Sequence, residues 1–192
     1  MEFAEIILKN RSYRKFHEKQ TIPDKVFIEL VNYARLSASS GNIQGLKFYI
    51  TADPARNYLI FSTVRWAYYL KDWEGPVEGE RPSAYIILLG DTEIHKTIDV
   101  DVGIAAQSIL LGAVSLGYGG CMIGSIDRVG LRKKLEIPDQ YEIPLVLALG
   151  KPNEKVVIDT MGEDGKIEYW RDEYSVHHVP KRSLKELILY SF

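Results

Sequence analysis

The stretch "DVDVGIAAQSILLGAVSLGYGGCMIG", Asp99 to Gly124, decides the layout of this chain. Residues 99–117 are apolar almost all round, the composition of a helix buried in the middle of a domain. Asp99 and Asp101 stand at its start, where carboxylates favour a helix N-terminus, so capping is their expected role. Gly103 and Gly112 each cost about 1 kcal/mol relative to Ala inside a helix. Close approach of another helix, from this chain or from a second copy, would offset that cost. Gly117 reads as the left-handed residue that ends the helix, and the residues after it read as a strand. The "GYGG" glycines follow a helix and not a strand. They therefore do not make the G-x-G-x-x-G turn of a dinucleotide-binding domain, and the P-loop pattern is also missing.

Working outward, "AYIILLG" (84–90) and "IPLVLALG" (143–150) are continuous apolar runs, as expected of strands covered on both faces. "LKFYITA" (46–52) is a third strand. Helices are predicted over 3–9, 54–71, 128–135 and 183–189. Another spans "IPDKVFIELVNYARLSA", where Val26, Leu30 and Ala34 recur every fourth residue. Alternating helices and buried strands imply a layered α/β fold. After Gly150, "EKVVIDTMGEDGKIEYWRD" reads as a hairpin or extended arm turning at Glu163–Gly165. This tail is aromatic and apolar for a terminus, and a partner subunit is one candidate for what it packs on.

The 192 residues are 46% hydrophobic, enough for one domain with its own core. A net charge of −2 gives no general attraction for nucleic acid. The small basic clusters at Arg11–Lys15 and Lys181–Lys185 suit a phosphate-sized anion better than a polymer. Cys121 is the one cysteine, which rules out an internal disulfide and fits a reducing compartment. "MEFAEIILKN" does not read as a signal peptide. The longest apolar segment, 100–116, falls short of the roughly 20 residues of a membrane span. A soluble, cytoplasmic protein that binds neither membrane nor nucleic acid is the expectation.

Three polar segments are candidates for chemistry. In "NRSYRKF", Arg11 and Arg14 flank Ser12; guanidinium forks hold phosphate bidentately, and a solvated basic loop is the plainer reading. In "SASSGNIQ", Ser39, Ser40 and Asn42 offer hydrogen bonds around a permissive Gly41, or the segment is no more than a helix stop and a turn. Lys181 and Arg182 form a second cationic pair. Cys121 is expected to be a small core side chain. The adjacent His177 and His178 point to opposite faces of a strand and so cannot chelate one ion together. Trp66, Tyr68, Tyr69 and Trp73 either fill core or stack over a planar substrate, with core packing favoured.

"RSYRKF", then "ASSGNIQ", then the 99–127 stretch, then the basic pair near the end follow one another in an order that resembles the nitroreductase family of FMN-dependent oxidoreductases. The resemblance covers nearly the whole chain. It implies an α+β fold: an α/β/α sandwich around a mainly antiparallel sheet. The unit implied is a single domain, dimeric, whose C-terminal arm (about 153–192) is exchanged between subunits. It implies FMN at the dimer interface and NAD(P)H as hydride donor. The acceptor would be a small nitroaromatic, quinone or similar molecule, reduced by a ping-pong route with no catalytic side chain beyond the flavin. By this resemblance Arg11 and Ser12 contact the phosphate or ribityl chain, and Arg14 faces the N1/O2 edge. Ser39, Ser40 and Asn42 line the flavin from the other subunit. Gly124 and Ser125 match the segment that reaches N5 or O4, and Lys181 and Arg182 complete the phosphate site. The alternatives are reaction of reduced flavin with oxygen, or a flavin carrier or sensor without turnover. The chain departs from the family pattern at Asn10 (often Arg), at Ala38 (often Pro), and at Gln44–Leu46, where "QGL" replaces a common "QPW".

Overall fold

The structure is a computed structural model that describes residues 1–190. They fall into two compact units, Met1–Trp66 with Gly75–Asn153, and Ala67–Glu74 with the described residues from Glu154 onward.

The first unit holds helices α1 (Phe3–Lys9), α2 (Asp24–Leu36), α3 (Pro54–Phe61), α4 (Asp99–Ser115) and α5 (Arg128–Leu135). Its strands are β1 (Leu46–Thr51), β2 (Ala84–Asp91), β3 (Gly119–Ile123) and β4 (Tyr141–Gly150). They form one antiparallel sheet of order β1-β2-β4-β3. All of β2 is buried, as a strand between two neighbours and under helices must be. Ala84, Ile86 and Leu88 share a core with Leu30 of α2 and with Ala106 and Ile109 of α4. Tyr85, Ile87 and Leu89 point to the opposite face of the sheet. Ile60 of α3 and Leu131 of α5 are also fully buried.

The central helix ends as its sequence predicts. Gly117 has φ +81°, its N–H bonds Val114 O at 3.0 Å, and the Tyr118 N–H bonds Ala113 O at 2.8 Å. That pair of bonds is the Schellman arrangement. Gly112 is where α2 crosses closely: a Cβ there would lie 2.4 Å from Tyr33 Cδ2. Gly103 has no such neighbour within 4 Å in the chain.

The helix expected over 54–71 stops at Phe61. The Ser62 and Thr63 hydroxyls turn back onto the Leu59 and Ile60 carbonyls, at 2.7 and 2.8 Å. Beyond them the backbone pairs with the segment after β3: Arg65 N–H donates to Ser125 O at 3.0 Å, and Asp127 N–H to Thr63 O at 2.7 Å. Long-range backbone pairing prevails over local helix preference here. Helical spacing of the four aromatics is lost with it. Trp66 is buried beside Phe61, whereas Tyr68 is largely exposed.

In the second unit, β5 (Val156–Thr160), β6 (Trp170–Arg171) and β7 (His177–Lys181) form a sheet of order β5-β7-β6, followed by α6 (Leu184–Leu187). The hairpin reading of 154–172 is therefore not what forms. The chain does turn at Gly162–Gly165, but β7 lies between β5 and β6. It runs parallel to β5 from Val156↔His177 to Thr160↔Lys181, supplying backbone partners that the short β6 could not. His177 and His178 do point to opposite faces: His177 is buried, while His178 stacks flat on Trp170 at 4.1 Å. Within this unit Tyr69 packs edge-on against Tyr169, and the Arg171 guanidinium lies over Trp73 at 4.2 Å.

Candidate functional site

The segment after α1 is not a free loop. Ser12 bridges Gly120 of β3 in parallel, and the Tyr13 N–H donates to Gly120 O at 3.0 Å. Further along, Phe16 bridges Pro152 and is fully buried. The segment thus runs beside the sheet, and its side chains take fixed directions. Gly119 permits this approach, since a Cβ there would lie 2.6 Å from Tyr13 Cδ2.

Within the segment the two arginines differ. Arg14 is buried, and its Nη1 donates to Ser12 O at 3.3 Å, bracing the turn from inside. Arg11 donates through Nη2 to Ile7 O at 2.8 Å, and its Nε is buried without a hydrogen-bond partner. Ser12 is exposed. A guanidinium with an unsatisfied donor beside an accessible hydroxyl is a donor set that fits a phosphate oxygen.

The serine-rich loop is anchored elsewhere. Ser37 ends α2: its N–H bonds Ala34 O, and its hydroxyl bonds Tyr33 O at 2.8 Å and meets Ser108 Oγ at 2.7 Å. The next two serines are held by Asp101, in the first turn of α4. The Ser39 hydroxyl donates to Asp101 Oδ2 at 2.7 Å, and the Ser40 N–H donates to Oδ1 at 2.8 Å. Asp101 is 3% exposed. Burial alone would raise its pKa, but the hydrogen bonds from Ser40 and Ser39 and the nearby His95 outweigh that and hold it below the usual carboxylate value. Asp101 is thus more than a helix-start charge; it clamps the loop. The sequence signal was an acid in a run otherwise apolar, easily assigned to the helix terminus alone. Past the clamp, Gly41 and Asn42 both take φ +56° and Gln44 φ +59°. Asn42 is exposed at this turned-out tip.

Gly124 and Ser125 follow β3 and are exposed. A Cβ on Gly124 would meet nothing within 4 Å, so the backbone there is open to approach. Ser125 borders a cleft of about 430 Å³ with Thr63, Arg65 and Asp127. Asp127 and Arg128 do not pair: Asp127 caps α5 by accepting from Gly130 N at 2.9 Å, and Arg128 donates to Ile143 O at 2.9 Å. Cys121 is buried in β3, as expected of a core side chain. Thus β3 carries Arg11, Ser12 and Arg14 alongside its start and Gly124 and Ser125 beyond its end. Ser39, Ser40 and Asn42 hang from the start of α4. Lys181 and Arg182 lie at the end of β7 in the second unit, both exposed, with Arg182 3.5 Å from Glu186.

The nitroreductase family model matches residues 7–151, about three quarters of the chain, from the last turn of α1 to just past the end of β4. The chain belongs to the nitroreductase family. As a member it is a flavin-dependent oxidoreductase. Solved structures share the fold. A nitroreductase family protein from Clostridium novyi NT is 21% identical, with a TM-score of 0.66 and coverage of 97% of this chain and 99% of that one. An FMN-dependent nitroreductase from Clostridium difficile R20291 is 21% identical, with a TM-score of 0.64 and coverage of 78% and 87%. The NADPH:FMN oxidoreductase from Vibrio harveyi, complexed with NAD+, is 24% identical, with a TM-score of 0.61 and coverage of 79% and 69%. The mixed helical and antiparallel architecture expected of the family is the one observed. Among the described residues no helix is long and apolar enough to cross a membrane.

Proposed function

We propose that this nitroreductase-family chain is an FMN-dependent enzyme that takes hydride from NAD(P)H and reduces a small acceptor, a nitroaromatic or quinone, in a ping-pong cycle. The observation that carries the reading is the Arg11–Arg14 segment pinned to β3. It sets the Arg11 guanidinium, whose buried Nε lacks a hydrogen-bond partner, next to the exposed Ser12. Those residues and the open backbone at Gly124 fit FMN.

In this reading Arg11 and Ser12 hold the phosphate end, with Lys181 and Arg182 as further cations. Arg14 brings a permanent positive charge to the pyrimidine edge, since a guanidinium stays protonated at any working pH. Gly124 and Ser125 orient the ring through their backbone. Ser39, Ser40 and Asn42 close over it from a second subunit, their position set by Asp101. When bound, FMN supplies the hydride chemistry, and the chain supplies binding, orientation and electrostatics. No general acid or base is needed for hydride transfer.

A homodimer in the cytoplasm completes the proposal. Helix α1 has no buried residue, and Phe3 and Leu8 are 69% and 62% exposed beside α4. Gly103 of α4 faces open space. A second copy seated there would cover these side chains and account for that glycine. Arm exchange over 153–192 belongs to the same proposal, within which the chain is one functional domain.

Purified protein should be yellow, release FMN on denaturation, and bleach with NADH or NADPH without oxygen. Arg11→Ala should weaken FMN binding about 10- to 100-fold, the loss of a charge-assisted hydrogen bond worth about 1.5–3 kcal/mol, with Arg11→Lys in between. Yellow protein that no nicotinamide bleaches would mark a carrier. Colourless protein that takes up no added FMN would overturn the reading.

A further inference from the structure

Residues 67–74 leave the first unit and return to it as a closed excursion, for Trp66 and Gly75 on either side both belong to that unit. Trp66 is buried, and a Cβ on Gly75 would lie 2.7 Å from its Cδ1. The two ends of the excursion therefore touch, and the return point has room for glycine alone. The backbone is unusual at the same two places: Ala67 takes φ +40° and Gly75 φ +136°. A short segment with touching ends and a positive-φ residue at each has the form of an Ω-loop on two hinges.

Little inside the excursion holds it in shape. Its own backbone bonds close two turns, Leu70 N–H to Ala67 O at 2.9 Å and Trp73 N–H to Leu70 O at 3.1 Å. Two turns do not offset the conformational entropy of fixing so short a segment. Its order comes from the C-terminal arm, within the second unit. The Tyr69 ring packs edge-on against Tyr169 at 5.0 Å, and the Tyr69 N–H reaches the Tyr169 hydroxyl at 3.5 Å. The Arg171 guanidinium lies over Trp73 at 4.2 Å and donates through Nη2 to the Glu154 carboxylate at 3.1 Å. The Glu154 side chain is 2% exposed. A guanidinium pinned by a buried carboxylate has lost most of its water, the condition under which its attraction to an indole face is strongest. Tyr68 is the contrast: it is 77% exposed, and the cation over its ring is Lys71 of the same segment, at 4.4 Å.

We propose that Ala67–Glu74 is a strap latched by the arm: the two open together as one cooperative unit, with Arg171 on Trp73 as the latch and Ala67 and Gly75 as the hinges. The consequence concerns the aromatic side chains. Latched, Tyr69 and Trp73 are committed to the arm, and a planar molecule meets only Tyr68 exposed on the strap. Release of the arm frees all three at once, so whatever displaces the arm controls access to them. Nothing in this requires flavin to be bound.

Native-state amide exchange on the full chain as purified, at one fixed pH, tests the coupling in both directions. Trp73→Ala changes the strap and leaves the Arg171–Glu154 pair intact, so any change in the arm reports the strap alone. It should speed exchange of the β5–β7 amides about 3- to 30-fold, the range set by the loss of one guanidinium–indole contact. Arg171→Gln changes the arm and should in return speed the Leu70 and Trp73 amides by about the same factor or more, with Arg171→Lys in between. Tyr68→Ala, on the strap but away from the arm, should move neither set, and the β2 amides should keep their rates throughout. The proposal is overturned if Trp73→Ala leaves the β5–β7 amides at wild-type rates, or if Arg171→Gln leaves the strap amides at theirs. It is overturned equally if Tyr68→Ala loosens the arm as much as Trp73→Ala does. Should Arg171→Gln fail to fold, Trp73→Ala, which keeps the buried pair, decides the matter.

Discussion

Asp101→Ala tests the clamp that sets the serine-rich loop. The carboxylate is 3% exposed and accepts two hydrogen bonds, from the Ser39 hydroxyl at 2.7 Å and the Ser40 N–H at 2.8 Å. A hydrogen bond to a charged partner is worth about 1.5–3 kcal/mol net. Ser39 is half-buried and Ser40 exposed, so water replaces part of what each donor loses. The expected loss is thus that of about one such bond and not two, about 1.5–3 kcal/mol. For a chain of this size that is a fall of about 3–12 °C in unfolding temperature. Urea titration gives the free energy, and amide exchange at Ser40 localises it: protection there should drop while amides in β2 keep theirs. The pH dependence has a defined sign. The folded carboxyl lies below its unfolded value of 3.8, so its stabilisation is present above 3.8 and is lost as pH falls through the folded value. Asp101→Asn should remove that acid-side loss. If Asp101→Ala costs under about 0.5 kcal/mol, within the range of ordinary surface changes, or leaves Ser40 protected, the clamp is not what holds the loop.

The second unit should respond to pH in the opposite sense. His178 Nδ1 meets Asp159 at 2.8 Å and Nε2 meets Asp172 at 3.4 Å, and these partners outweigh burial and raise its pKa above 6.5. A raised histidine stabilises fully below 6.5 and loses that contribution as pH climbs through the folded value. Exchange protection of the β5–β7 amides should therefore fall as pH rises above 6.5, and His178→Phe, which keeps the stack on Trp170, should flatten that response. Gly112→Ala should cost about 1–3 kcal/mol by denaturant titration, because the new methyl would sit 2.4 Å from Tyr33 Cδ2; Gly103→Ala, with open space around it, should not destabilise the isolated chain.

The order and type of the main elements were legible because each rests on local information. The apolar run of β2, the fourfold spacing in α2 and the glycine ending α4 report burial, face and turn within a few residues of sequence. The family was legible for a related reason: its short motifs fall in a fixed order along the chain. What the sequence left open is what depends on distant partners. Residues 62–66 leave the helix because their backbone finds partners at Ser125 and Asp127. β7 enters between β5 and β6 although it follows both in the chain. Asp101 reads as a helix-start charge until folding brings Ser39 and Ser40 within bonding distance across 62 and 61 positions. Tyr69 and Trp73 read as core or as stacking rings until the arm brings Tyr169 and Arg171 onto them. Periodicity and turn chemistry are properties of neighbouring residues and are written in the sequence. Hydrogen bonding between remote side chains is a property of assembled space, and only the tertiary structure decides it.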